Sequence, residues 1–466
     1  MSLRNLHLSL SLALLSSLFI VKTCAVSEDV SEDGCLGETE NPNVNFASKV
    51  TYSFVRGNIA AEVLALKKSG CRVRSVWMMA RHGSRYPTDL EGSFIWNWLP
   101  RLKEEILEAH EMGSGSLCQK TLELLKSWTG EEFSSSRGMQ LFDTGRKEMK
   151  GLGVRMRAAL PHFFTEDALN RRVLIWSTNT SRTIDTAKVF LKGFSPSEDL
   201  EKNITVKTSD QILEFPDKCH KYSKTVFQGQ RMPAFEQYLR GPEVQSVVDR
   251  VSQRIAVSVN LKQVGTMYNT CRYYKVMEPQ KKSVWCAVFS KEDLKVLEYG
   301  EDLFLYHHHG YAFNITFEQA CPVVKDIIQL FRNQNETSAF YFTHLETVMK
   351  VMTRFGFFND SVPLSHTERD ANRLWRTSRF GGFGSNLALL LTQCGREGWT
   401  VNTYINERKA PLPECTFPTG CPWPRFLQLY GQYEVCPFDD LCENENPCVD
   451  CQPDHLHLLR NILKEL

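Results

Sequence analysis

The sequence predicts an α/β fold: a large domain with a central sheet flanked by helices, and a smaller, mainly helical domain inserted between strands. Three observations predict it. Short apolar runs of strand length alternate with segments of helical periodicity, the pattern of a sheet covered on both faces. The middle of the chain, roughly 202–334, is Lys-rich and helical in pattern, with few strand-like runs. No internal repeat and no Gly/Ser- or Pro-rich linker separates the parts, so they read as one compact unit.

Taken in order, the chain opens with Arg4 and an apolar run over 8–21, followed by Thr23-Cys24-Ala25. This reads as a signal peptide, 1–25, cleaved after Ala25. The run is too short to span a bilayer, and it carries no charge, unlike an amphipathic first helix. Strands are predicted over 73–79, 173–176, 339–342, 387–391 and 401–405. Helices are predicted over 100–109, 183–191, 242–255, 291–300, 321–331 and 346–355. The α/β domain is assigned to 40–200 and 335–445, the helical insertion to 202–334, and a C-terminal tail to 446–466. The segment 107–160 is expected to add a helical piece that packs with the insertion.

The 466 residues carry 55 Lys+Arg against 54 Asp+Glu, and 42% are hydrophobic. That is enough apolar material for a core and excludes global disorder, while ordinary Gly and Pro content excludes a collagen-like chain. A net charge near zero gives no electrostatic case for nucleic acid or a membrane surface as partner, so any basic site must be local. Removal of 1–25 leaves fourteen of the 15 cysteines, an even number that reads as mostly disulfides in an oxidising compartment. Cys415, Cys421, Cys436, Cys442, Cys448 and Cys451 suggest a tail held by short loops. Cys448-Val-Asp-Cys451 has the spacing of a redox or zinc pair, a reading disfavoured in a secreted chain. Five sequons, at Asn179, Asn203, Asn314, Asn335 and Asn359, agree with secretory passage. Leu463-Lys464-Glu465-Leu466 matches a retention signal at two positions only, so lumenal retention and export both stay open.

The chemistry concentrates in three loops. The run 73–79 ends in Arg81-His82-Gly83-Ser84-Arg85-Tyr86-Pro87-Thr88, placing the polar cluster at the C-terminal end of a strand, where open α/β sheets hold ligands. Two arginines flanking a histidine suit a dianion such as phosphate, with guanidinium forks on its oxygens and His82 as nucleophile. A solvated basic loop is the bland alternative, and the full spacing argues against it. The second strand leads through Ser177-Thr178-Asn179-Thr180-Ser181 to Arg182 at a helix start, which taken alone is an ordinary helix-start arginine or an anion ligand. The third leads into Thr343-His344-Leu345-Glu346. There His344 can donate to a phosphoryl oxygen, and Glu346 can carry the proton for a leaving alkoxide, or complement the helix dipole, or both.

Together these loops resemble the histidine acid phosphatase branch of the histidine phosphatases, and within it the multiple inositol polyphosphate phosphatase group. That group shows His-Ala-Glu-Thr where ordinary acid phosphatases show His-Asp. Further matches are Cys271-Arg272, the stretches 285–294 and 298–303, Asn406-Glu407-Arg408 and Leu412-Pro413, so the resemblance runs from about Phe46 to Cys442. It implies a mixed sheet and a two-step mechanism without cofactor or metal. His82 forms a phosphohistidine held by Arg81, Arg85, Arg182 and His344; Glu346 protonates the departing oxygen; water then hydrolyses the intermediate. The implied substrates are inositol polyphosphates up to the hexakisphosphate, with 2,3-bisphosphoglycerate as a further one. It also implies the disulfides Cys71–Cys394 and Cys271–Cys286.

Two departures from the group matter. Leu345 replaces its usual Ala and adds bulk beside the catalytic pair. The Asn179 sequon lies three residues before Arg182, where a glycan would crowd the cleft, so Asn179 is expected to stay unmodified while Asn203, Asn314, Asn335 and Asn359 are the glycan candidates. A polyanionic substrate needs further cations and donors, and Lys49, Tyr52, Lys218 and Lys221 are the candidates, each with a solvated-surface alternative. His307-His308-His309 is expected to be an exposed loop rather than a metal site, since adjacent histidines point in different directions. The competing readings are a broad-specificity secreted acid phosphatase and a non-catalytic binder of phosphorylated ligands.

Overall fold

The apolar runs become strands: β1 Cys71–Arg81, β2 Val173–Ser177, β3 Val206–Thr208, β4 Thr337–Thr343, β5 Asn386–Cys394, β6 Gly398–Ile405, β7 Arg408–Lys409 and β8 Cys421–Pro422. The computed structural model describes residues 35, 42–134, 137–163, 173–197, 205–228, 233–333, 337–395 and 398–444. The signal peptide, Cys24, Cys448, Cys451, the sequons at Asn203 and Asn335, and the terminal Leu463–Leu466 lie outside the described residues. The sheet runs β3-β2-β4-β1-β5-β6-β7, with β8 beside β6. Its β3, β2, β4 and β1 are mutually parallel, and β5 then pairs antiparallel with β1, so the sheet is mixed.

The sheet is buried on both faces, which is why β1 reads as a near-continuous apolar run rather than an alternation. Val76, Met78 and Ala80 share one core with Phe340, Phe342 and Leu390; Trp77 and Met79 share the other with Ala339, Tyr341 and Leu389. The helices that matter are α1 Ile59–Lys68, α2 Asp89–Glu111, α3 Asp143–Ala159, α4 Ser181–Phe194, α5 Pro242–Ile255, α6 Leu261–Met277, α7 Lys291–His309, α8 Cys321–Arg332, α9 Leu345–Arg354 and α10 Trp423–Tyr430. Helices α1, α3 and α4 contribute to the first core, and α8, α9 and α10 to the second.

Two pieces of 202–334 belong to the sheet layer: β3 extends its edge beside β2, and α8 covers its second face. Helices α5 and α6 and part of α7 form the helical part between them. The stretch 107–160 divides. The end of α2 goes with the insertion, where α2 packs on α6, while α3 lies against α4 over the sheet.

Two expectations are corrected. His307–His309 is the last turn of α7, with His308 and His309 buried, not an exposed loop. The helix continues because its last turn packs inward, burying His308 and His309. Among the described residues no group of His, Cys, Asp or Glu is placed to hold a metal. The late cysteines do not form a tail of short loops either. Among the described residues only Cys415–Cys421 is local; Cys321–Cys436 and Cys219–Cys442 span 115 and 223 residues and clasp the C-terminal segment to the body. Loop length gives no guide where strand and helix packing has already brought the ends together. Cys35–Cys118, Cys71–Cys394 and Cys271–Cys286 are also bridged, the second joining the facing ends of β1 and β5.

The β6–β7 turn places Asn406 and Glu407 at φ of +51° and +63°, the pair of left-handed residues a two-residue hairpin needs. Neither is glycine, so tertiary contacts must hold them. The Asn406 side chain accepts from the Asn386 N–H at 2.9 Å. The fully buried Glu407 carboxylate accepts from Arg155 Nη2 at 2.6 Å and Nε at 2.7 Å, and from the Tyr52 hydroxyl at 2.8 Å. Arg155→Met strands that carboxylate and is expected to cost about 3–5 kcal/mol in a denaturant melt, much of it recovered in the double variant with Glu407→Gln.

Candidate active site

Strand order alone brings the three loops together. Because β2, β4 and β1 are neighbours, their C-terminal ends lie side by side, with Arg81 paired to Thr343 and Ser177 to Phe342. Two helices, α4 and α9, start immediately after β2 and β4, and neither N-cap side chain accepts from a backbone N–H of its helix's first turn. The backbone N–H groups of those first turns suit an anion.

The first loop is pinned on both flanks. The His82 N–H donates to Thr343 O at 2.9 Å, and its carbonyl accepts from Gly384 N–H at 3.0 Å. Gly83 donates to Thr186 Oγ1 at 3.1 Å, and a Cβ there would meet Gly145 O and Met149 Cγ at 3.0 Å. The His82 ring, 4% exposed, has Nδ1 2.9 Å from Gly83 O. A carbonyl only accepts, so Nδ1 carries the proton and Nε2 keeps its lone pair. Burial, and then the charges of Arg81 and Arg85, hold the His82 pKa well below the usual imidazole value. A neutral imidazole with a free Nε2 is the form a nucleophile requires. In an NMR titration of labelled histidines, the resonance lost in His82→Ala is therefore expected to titrate well below the ordinary value of about 6.5; one titrating near that value contradicts it.

The arginines crowd one another. Arg81 Nη1 donates to Ser48 O at 2.7 Å and Gly381 O at 2.8 Å, and its guanidinium lies 4.1 Å from the Phe383 ring centroid. Burial and then Arg85 lower its pKa to about 9; the same two causes lower that of Arg182 to about 10. Arg81 and Arg182 stay charged at neutral pH. These two and Arg85 each have a buried Nε with no hydrogen-bond acceptor among the described residues. Repelling cations with unmet donors suit a multiply charged anion.

His344 has the opposite tautomer. Its Nε2 lies 3.1 Å from Glu214 Oε1 and 3.2 Å from Thr178 Oγ1, while Arg182 Nη2 donates to Nδ1 at 3.1 Å. The two histidine rings sit 5.7 Å apart, centroid to centroid. Glu346 is the second residue of α9, partly buried, and its charge acts on Arg182. Leu345 lies close to Gly381, the residue whose carbonyl anchors Arg81.

Of the proposed ancillary residues, Lys49 stands nearest this cluster in its interactions. It is held 3.8 Å from both Glu91 and Glu301, and Arg85 is among the charges acting on it. Tyr52 is buried, its hydroxyl committed to Glu407 and Asn386. Lys218 lines a separate open cleft of about 1040 Å³ with Asp210, Asp326 and Phe438, and Lys221 pairs with Glu443 of the C-terminal segment at 3.1 Å. Asn179 is exposed, as are Asn314 and Asn359. Sequence reasoning missed Glu214, Thr186 and Gly145. Glu214 lies 130 residues from His344, and nothing in its own neighbourhood marks it.

The model of the histidine phosphatase superfamily (branch 2) matches residues 72–406. The chain is 26% identical to multiple inositol polyphosphate phosphatase 1 of Gallus gallus over 428 residues, covering 85% of this chain and 92% of that protein. It is also 26% identical to the Homo sapiens protein of the same name, over 74% of this chain and 77% of that one. Among solved structures, Bifidobacterium longum multiple inositol polyphosphate phosphatase in complex with phosphate superposes with a TM-score of 0.65 at 16% identity, covering 85% and 99% of the two chains. The phytase from D. castellii superposes at 0.64, also at 16% identity, covering 81% and 83%.

Proposed function

The chain belongs to branch 2 of the histidine phosphatase superfamily, and on that premise we propose that it hydrolyses inositol polyphosphates through a covalent phosphohistidine on His82. The observation that carries this reading is the neutral His82 ring, with Nε2 unprotonated, set among Arg81, Arg85 and Arg182, each with a buried Nε. In the first step the Nε2–P bond forms as the P–O bond to the inositol breaks, and Glu346 gives its proton to the departing oxygen. In the second, Glu346 takes a proton from water as that water attacks phosphorus, the N–P bond breaks, and inorganic phosphate leaves. Arg81, Arg85 and Arg182 stabilise the charge on the phosphoryl oxygens throughout, and His344 steadies Arg182 through its Nδ1. Glu214 holds the His344 ring in orientation from behind.

The inositol polyphosphate class is supported by the names of the relatives, and by the Bifidobacterium longum enzyme's complex with inositol hexasulfate. Lys49, beside Arg85, is the ancillary cation best placed for a second phosphate of the ring, and 2,3-bisphosphoglycerate is a second candidate substrate of the same charge type. Six disulfides support action in the secretory lumen or outside the cell.

The test is phosphate release from inositol hexakisphosphate with a chelator present, beside p-nitrophenyl phosphate. The expected kcat/KM for the inositol substrate exceeds that for the aryl ester by about tenfold or more, since remote phosphates add binding energy at the transition state. Preference for the aryl ester points to the broad acid phosphatase. No release from folded protein that still binds phosphate points to the binder.

A further inference from the structure

Helix α9 carries a second titratable group that the two-step reaction does not use. Lys350 lies four residues after Glu346, one helical turn further on and on the same side. It is 0% exposed. Its Nζ donates to His308 O at 2.7 Å and to His309 Nδ1 at 3.1 Å, and sits 3.9 Å from the centroid of the Tyr222 ring. The Tyr222 hydroxyl donates to the same His308 carbonyl at 2.9 Å, and Thr353 holds His309 O at 3.0 Å. The buried end of α7, with its three histidines, is therefore the wall of a chamber built around one ammonium group.

A fully buried lysine is costly, and His308 O and His309 Nδ1 are neutral acceptors, so a reason for its presence has to come from elsewhere. Burial lowers the Lys350 pKa to about 7, while the charges of Glu346 first and Asp217 second pull it back up. The attraction is mutual: a cation one turn behind Glu346 lowers the proton affinity of that carboxyl.

We propose that Lys350 is a positioning residue whose charge sets the proton affinity of Glu346, and with it the pH range over which phosphate is released from an alkyl leaving group. The inference rests on the reading of Glu346 as proton donor. The other titratable groups around the pair are Arg182 on α4, His344 at the N-cap of α9, Asp217 and Tyr222 on the segment packed beside it, and His308 and His309 on α7. All of them are left in place in the test.

The experiment compares the pH profiles of kcat/KM for inositol hexakisphosphate and p-nitrophenyl phosphate in the wild type, Lys350→Met and Lys350→Gln. A nitrophenolate leaves without help from an acid, so it reports the nucleophile and the arginines but not Glu346. Both variants are expected to move the basic limb for the inositol substrate upward by about half a pH unit or more, and to leave the aryl profile in place. Methionine suits the apolar part of the chamber; glutamine keeps a donor for His308 O should methionine fail to fold. A basic limb that stays put in a folded variant, or that moves equally for both substrates, overturns the proposal. Glu346→Gln separates the two levels. The comparison uses kcat/KM, which reports the first step and not the hydrolysis of the phosphohistidine that both substrates share. If Glu346→Gln lowers kcat/KM for the inositol and aryl substrates by the same factor, the proton-donor reading fails; if it lowers only that for the inositol substrate while the Lys350 variants shift nothing, the donor stands and the role of Lys350 falls.

Discussion

His82→Ala is expected to lower kcat/KM by about a thousandfold or more on inositol and aryl phosphates alike, with no loss of folded protein in a thermal melt. Alanine removes the ring and its bond to the Gly83 carbonyl, but the loop's backbone ties to Thr343, Gly384 and Thr186 remain. The arginine cluster keeps its charge, so binding of inorganic phosphate should survive, and with it the distinction between losing a nucleophile and losing a site. Rapid quenching of the wild type in alkali, during turnover of a ³²P-labelled substrate, should trap label on the protein in a bond stable to base and labile to acid. The same quench of His82→Ala should trap none. Label on another residue, or full activity in the variant, sinks the phosphohistidine mechanism.

Gly145→Ala is expected to lower kcat/KM about a hundredfold, although Gly145 is not assigned any part in the chemistry. It sits in the first turn of α3, and a Cβ there would fall 2.3 Å from Ser84 O and 2.5 Å from Ser84 N. These are backbone atoms of the loop between His82 and Arg85, so no side-chain rotation relieves the clash. Either the loop or the helix must move, and the loop carries His82, the proposed nucleophile. Because Glu346 is on a different element, inositol and aryl rates should fall together. Gly265→Ala is the control: within α6 a Cβ meets nothing within 4 Å, and alanine should leave activity unchanged and add up to about 1 kcal/mol of stability. Wild-type rates from Gly145→Ala would show that the loop tolerates displacement.

The two expectations that failed, and the residues that went unnoticed, share a physical cause. The apolar runs marked five strands of the sheet to within a few residues, because burial on both faces leaves a continuous hydrophobic signature in a short stretch of chain. β3 left no such signature: it is three residues long, at the sheet's edge, and partly exposed. His307–His309 looked like a surface loop because polarity is read one residue at a time, whereas its burial depends on Tyr222 and Lys350, 86 and 42 residues from His308.

The amino-acid sequence by itself determined the chemical content of the three loops, the strand-to-helix junctions that carry them, the α/β class, and the family resemblance that suggested Cys71–Cys394 and Cys271–Cys286. These are local properties, or follow from matching runs of consecutive residues. Tertiary structure decided which partners those loops meet. It set Glu214 against His344, Gly145 against Ser84, Tyr52 and Arg155 against Glu407, and Lys350 in a closed chamber behind Glu346. Each contact joins residues that only the order β2-β4-β1 and the packing of helices bring within reach. The cost of burying a charge, or the clash of an added methyl group, exists only once that packing has excluded water.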